Sequence, residues 1–211
     1  MIQTIIILFG LIILYVGTTS RIEGYIKALA AQGGLLFLLV LTDAGEAHLA
    51  TTLFLSFETL IVKGILIPII LFKVVRKNGI HREIEPNIPF FFSLIITSAI
   101  FALGFYITYW VSFTSGPLRP FYFGVAISTM LTGFIVIITR KQIITHVIGY
   151  MLIENGIFLL ALSIAKEMPF IVALGVLLDI FIAVYLLGLF VNKIQDTFAE
   201  INVDTLAKLK D

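Results

Sequence analysis

Apolar runs long enough to cross a membrane alternate with short polar stretches along the whole of this chain. The first run covers Ile2 to Val16, the second Tyr25 to Leu41 and the third Thr52 to Phe72. Four more follow, at Ile88 to Phe113, Phe121 to Ile138, Ile143 to Ile164 and Phe170 to Val191. A helix needs about 20 apolar residues to span the hydrocarbon core of a bilayer. The pattern therefore predicts an all-α integral membrane protein of about seven transmembrane helices. Proline and glycine punctuate it. Pro86 and Pro89 precede the fourth helix, Gly116-Pro117 and Pro120 the fifth, and Pro169 opens the seventh, where its missing N–H is tolerated.

Composition sharpens this reading. Of the 211 residues, 60% are hydrophobic and 13% charged, and the mean hydropathy is +1.11. A soluble domain of this size needs more polar surface. The net charge of +1 says nothing about nucleic acid, which is not among the expected partners; the bilayer is. Cysteine is absent, which excludes disulfides, thiolate metal sites and cysteine-ligated iron–sulfur clusters in this chain. The first run lacks a basic flank and a small-x-small cleavage pattern, so it reads as a permanent helix. Arg21, Lys27, Lys73, Arg76, Lys77, Arg82, Arg140, Lys141, Lys193, Lys208 and Lys210 fall in the odd connections or after the last helix. Only Arg119 and Lys166 fall in the even ones. That bias predicts a multi-pass cell-membrane protein with its amino end outside and its carboxyl end in the cytoplasm.

A faint internal repeat sets the expected organisation. Gln32-Gly33-Gly34 on the second helix resembles Glu154-Asn155-Gly156 on the sixth, and Glu58 matches Asp179 at nearly the same spacing. Helices one to three would then repeat as five to seven in parallel orientation. The expected units are 1–75, a connector with helix four at 76–118, a second three-helix unit at 119–194 and a cytoplasmic tail at 195–211.

The charges inside the apolar runs carry the chemistry. Glu58 and Lys63 fall in the third helix, Glu154 in the sixth and Asp179 in the seventh. A charge at the bilayer centre costs about 2.5–3.5 kcal/mol on insertion scales, so such residues usually face one another or water and mark ion or proton paths. Glu58 and Lys63 stand about 140° apart on an ideal α-helix. The expectation is that they do not pair locally and that each meets its partner across the bundle or on another protein. His146, Tyr150 and Glu154 follow one another at i, i+4 and share a helix face. His146 lies roughly 12 Å from Glu154 along the axis, a candidate way in for protons from the cytoplasm. Plainer readings stand beside these. The carboxylates could be pins to partner subunits, Glu58 a boundary residue, Lys63 a snorkelling one, and His146 a headgroup-level side chain.

The segment Ile148-Gly149-Tyr150-Met151-Leu152-Ile153-Glu154-Asn155-Gly156-Ile157-Phe158-Leu159-Leu160 resembles hydrogenase-4 component E. So do Phe57-Glu58-Thr59-Leu60-Ile61-Val62-Lys63-Gly64-Ile65-Leu66-Ile67-Pro68 and the tail Asn202-Val203-Asp204-Thr205-Leu206-Ala207-Lys208-Leu209. The last three helices are also similar to the K subunit of complex I and the C subunit of Mrp-type cation antiporters. The resemblance implies a non-catalytic membrane-arm subunit of a bacterial or archaeal energy-converting complex. Its partners would be antiporter-like and other small membrane subunits, with a nickel–iron centre and iron–sulfur clusters in peripheral redox subunits and no cofactor in this chain. Glu58, Lys63, Glu154, Asp179 and His146 would then serve a lateral proton or sodium relay. One departure is visible: the K subunit's key glutamate matches Met151, and here the carboxylate comes a turn later, at Glu154. A second matches Asp179, with a side chain shorter by one methylene.

Other classes remain open at this stage. They are a free-standing small-molecule or cation transporter, an antiporter subunit without a redox partner, and a membrane scaffold. A haem-bearing quinone anchor fits poorly, because His48 and His81 fall in connections and leave His146 alone near the bilayer.

Overall fold

The computed structural model describes residues 2–43, 49–77, 87–114 and 119–164. Among them the chain is all-helical. Helix α1 is Ile2–Thr18, α2 is Ile22–Asp43, α4 is Phe90–Thr114, α5 is Pro120–Thr139 and α6 is Ile143–Ile164. Helix α3, over 49–77, is composite. Leu49–Phe57 and Ile67–Lys77 are α-helical, and Glu58–Leu66 between them is a π-helix. Five of these spans are long and apolar enough to cross a membrane, and Ile2–Thr18 is a shorter apolar helix. The arrangement fits a multi-pass membrane protein. The expected seventh helix, with Asp179, and the tail lie outside the described residues.

Small residues set the helix contacts, as expected where lipid replaces the hydrophobic drive and close backbone approach supplies the packing energy. On α5 and α6 they stand seven apart, which keeps them on one seam of each helix. A Cβ on Gly133 would lie 2.7 Å from the Gly149 carbonyl oxygen, and one on Gly156 would lie 3.0 Å from that of Ala126. Helix α4 meets α5 in the same way. Thr108 donates to the Pro120 carbonyl at 3.1 Å and Ser128 to that of Ile100 at 3.3 Å. Otherwise α4 is mostly uncovered. Phe91, Phe92 and Ile95 are exposed, as are Tyr106, Tyr109 and Trp110 near its far end, where an aromatic belt meets the headgroups.

Helix α2 touches α1, α3 and α6. It meets α3 at Gly33, where a Cβ would lie 2.7 Å from the Gly64 nitrogen and 2.8 Å from the Lys63 carbonyl carbon. At the next residue, Gly34, a Cβ would meet nothing within 4 Å. The backbone of α2 therefore lies directly on the π segment of α3.

That segment has a local cause. Pro68 lacks an N–H, and its ring crowds the carbonyl of the residue four before it, Gly64. A π register relieves this by widening the turn: the Ile67 N–H reaches back to the Val62 carbonyl, five residues away instead of four. At the other end, Thr59 donates to the Leu55 carbonyl at 2.8 Å and to that of Ser56 at 3.3 Å, a side-chain competition that loosens the helix.

The glycine contacts predict an asymmetry between neighbours. Gly33→Ala should cost about 1–3 kcal/mol, the usual range for overpacking. Gly34→Ala should be neutral or stabilising by up to about 1 kcal/mol, since alanine favours helix. Thermal unfolding of the two purified variants in the same detergent checks this. Equal behaviour would mean that α2 and α3 do not approach so closely.

Candidate functional site

Lys63 lies midway along α3 with its ammonium inside the protein. Its Nζ is 3.2 Å from Glu154 Oε1 on α6 and 3.6 Å from Glu58 Oε1 on its own helix. The Phe158 ring closes a further side, its centroid 5.0 Å from Nζ. Glu58, Lys63 and Glu154 are 2%, 4% and 3% exposed, so the three charges are held away from solvent and lipid alike.

The pairing of Glu58 with Lys63 corrects the α-helical expectation. At 3.6 residues per turn the two side chains diverge, but in the π register residue i+5 falls where i+4 falls in an α-helix. The π segment begins at Glu58 and contains Lys63, so both stand on one face. Helix α3 also runs longer than the apolar run suggested, which leaves Lys63 too central to snorkel.

Polar neighbours surround the triad. Asn155, next to Glu154, donates to Gln32 Oε1 on α2 at 3.2 Å, and both side chains are buried. The two residues come from the segments that the sequence repeat paired. His146 and Tyr150 are only partly buried, on the side of α6 leading to Glu154. The His146 Nδ1–H donates to the Gln142 carbonyl at 2.8 Å. No group of His, Asp or Glu among the described residues is arranged to hold a metal ion. Asp179 lies outside the described residues.

An ammonium between two carboxylates can lean toward either. Two unit charges 4 Å apart attract by about 4 kcal/mol at an effective dielectric of 20, and the two Lys63 distances differ by little. The site therefore holds two nearly balanced ion pairs, one within α3 and one between α3 and α6.

The chain is 24% identical over 191 residues to an uncharacterised protein of Mycobacterium tuberculosis, a match covering 90% of this chain and 87% of that protein. It is 33% identical over 86 residues to hydrogenase-4 component E of Escherichia coli strain K12. That match covers 41% of this chain and 40% of the relative, and the same holds for the Shigella flexneri protein of that name. Part of the chain is similar to hydrogenase-4 component E. No family model and no solved structure matches it. The partial similarity and the apolar helices fit a membrane subunit of a hydrogenase-like complex.

A second buried cation escaped the sequence reading. Arg140 was expected in a connection, where it counted toward orientation, yet it is 1% exposed. Its Nε donates to the Tyr25 hydroxyl at 3.0 Å, and one terminal nitrogen reaches Ser93 Oγ at 3.3 Å and the Gly17 carbonyl at 3.4 Å. The guanidinium lies over the Phe90 ring, 4.3 Å from its centroid. Arg140 thus ties together the ends of α1 and α5 and the starts of α2 and α4. Only the polar lining of that junction, Tyr25 and Ser93, could have signalled it, and neither is distinctive in sequence.

The triad makes a prediction about stability. Lys63→Met leaves two buried carboxylates side by side and should cost about 3–5 kcal/mol, the usual effect of removing one partner of a buried pair. Combining it with Glu58→Gln and Glu154→Gln should restore most of that loss, because no charge is then left buried. Denaturant unfolding in mixed micelles reads both. A Lys63→Met protein as stable as wild type would mean that the ammonium does not hold the carboxylates together.

Proposed function

We propose that this chain is a non-catalytic membrane subunit of a hydrogenase-4-like complex, in which Glu58, Lys63 and Glu154 form one station of a lateral proton or sodium path. The observation that carries the reading is the buried ammonium within ion-pair reach of carboxylates on two helices. With all three groups ionised the cluster has one net negative charge, and uptake of a proton or a sodium ion neutralises it. The groups are close enough to titrate as one unit. A shift of Lys63 from Glu154 toward Glu58 moves positive charge from the α3–α6 interface onto α3, and the π segment gives that stretch a loosened backbone. Such segments are frequent at functional sites.

The wider path is part of the proposal. His146 and Tyr150 lead from the end of α6 toward Glu154, and Asp179 is the next station toward a neighbouring subunit. Antiporter-like subunits would continue the path, and peripheral subunits with a nickel–iron centre and iron–sulfur clusters would drive it. The basic residues Arg21, Lys73, Arg76 and Lys141 gather at one end of the helices, which supports a cytoplasmic position for that end and an outside amino terminus.

One observation favours a second reading. An irregular segment at a buried charge site, with Gly64 inside it and Pro68 just beyond it, also suits a free-standing transporter that binds its solute at the interrupted helix. Gentle extraction of the tagged chain from its own membrane separates the two. Antiporter-like and iron–sulfur subunits should co-purify with it, whereas a stable chain that purifies alone would move the transporter reading to first place. In the intact complex, Glu154→Gln should lower ion translocation at least tenfold with assembly unchanged. Normal pumping would remove Glu154 from the path, and loss of assembly alone would make the triad a structural pin.

A further inference from the structure

We infer that the groove between α1 and α2 is a binding site for one anionic phospholipid, with its phosphate at Lys27 and Tyr15 and an acyl chain laid over Gly34. The groove has a volume of about 790 Å³ and is largely open on one side. Leu8, Leu11, Ala31, Leu35 and Leu60 supply most of its wall, so its body is apolar.

Its polarity is confined to one end. Lys27 is exposed there, and no ion pair links it to Glu23, one turn earlier, or to any other described carboxylate. The Tyr15 hydroxyl lies at the same end, so close to Gly24 that a Cβ there would be 2.6 Å from it, with Thr19 Oγ1 beside it at 2.8 Å from the same point. A cation and two hydroxyls at the headgroup level suit a phosphate diester.

Length selects a lipid over a protein helix. Along α2 the wall runs from Lys27 to Leu38, which is about 16 Å at 1.5 Å per residue. Half of a hydrocarbon core of about 30 Å is nearly the same depth. The groove is thus about as long as one acyl chain, with Gly33 and the level of Lys63 near its middle. A partner's spanning helix would need the full thickness. The floor at Gly34 is open because the helix–helix contact is made by Gly33 on the adjacent face, so the space is a by-product of how α2 meets α3. Leu60 at the inner end belongs to the π segment, which places the tip of the acyl chain against the helix that carries Lys63.

The inference does not depend on membership of any complex. Native mass spectrometry of the purified full chain tests it, with palmitoyl-oleoyl phosphatidylglycerol and the matching phosphatidylcholine offered in equal amounts. The wild-type chain should retain one phosphatidylglycerol, at least tenfold in excess over phosphatidylcholine. Lys27→Gln should abolish that preference, and Gly34→Phe should remove retention of both lipids. A Cβ at Gly34 meets nothing within 4 Å and opens onto the groove, so the Gly34→Phe melting temperature without added lipid should match wild type and report that it folds. Arg76→Gln, exposed toward the same end on α3, should leave retention unchanged. Equal retention of the two lipids, indifference to Gly34→Phe, or an equal effect of Arg76→Gln would each overturn the site.

Discussion

A buried ammonium needs counter-charge, and in this protein the need is met by bending the rules of one helix. Lys63 sits at the centre of α3, where neither end of its helix is within reach of a side chain. Its Nζ lies within ion-pair reach of Glu154 from α6 and of Glu58 from α3 itself, the latter only because the chain is in π register there. Pro68 imposes the register from one side, and the α2 backbone at Gly33 presses on it from another. Remove the wide turn and Glu58 rotates away from the ammonium. Remove Gly33 and α2 can no longer seat against it. The charge cluster, the irregular helix and the closest helix contact are therefore one structural device.

The rest of the bundle keeps that device dry and aligned. Glycine and alanine seams bring α5 and α6 together, and α6 in turn delivers Glu154 and Phe158 to Lys63. The Asn155–Gln32 hydrogen bond sets α6 against α2 beside the cluster. At the basic end, Arg140 gathers four helix ends through neutral acceptors and a ring, with no described carboxylate against it. The two buried cations are thus held differently. Lys63 lies between two carboxylates, whereas Arg140 is held by a hydroxyl pair, a carbonyl and an aromatic face. A relay suits the first arrangement and a structural clasp the second.

The similarity to hydrogenase-4 component E over part of the chain agrees with this picture at the level of a membrane subunit. The role proposed for the three charges in that setting rests on their chemistry. Two carboxylates sharing one ammonium create a site whose net charge changes with a single proton or cation, inside a helix whose backbone is already loosened. In the proposed complex, neighbouring subunits would act on such a site through charge alone.

The helices were legible in the sequence because lipid leaves little choice. A run of apolar residues of sufficient length must satisfy its own backbone and so must be helical. The buried Glu58, Lys63 and Glu154 were legible for the same reason, since charges inside such runs are rare and costly. Their partnership was not. Ideal helical spacing placed Glu58 and Lys63 on different faces, and only the tertiary structure, with Pro68 and Gly33 acting together, put them on one. The burial of Arg140 was likewise invisible, because a basic residue just after an apolar run reads as a headgroup-level charge until four helix ends are seen to close over it. Sequence determined which segments enter the membrane and which side chains are out of place there. The meeting of those side chains was decided by helix register and close backbone approach, which depend on contacts between residues far apart in the chain.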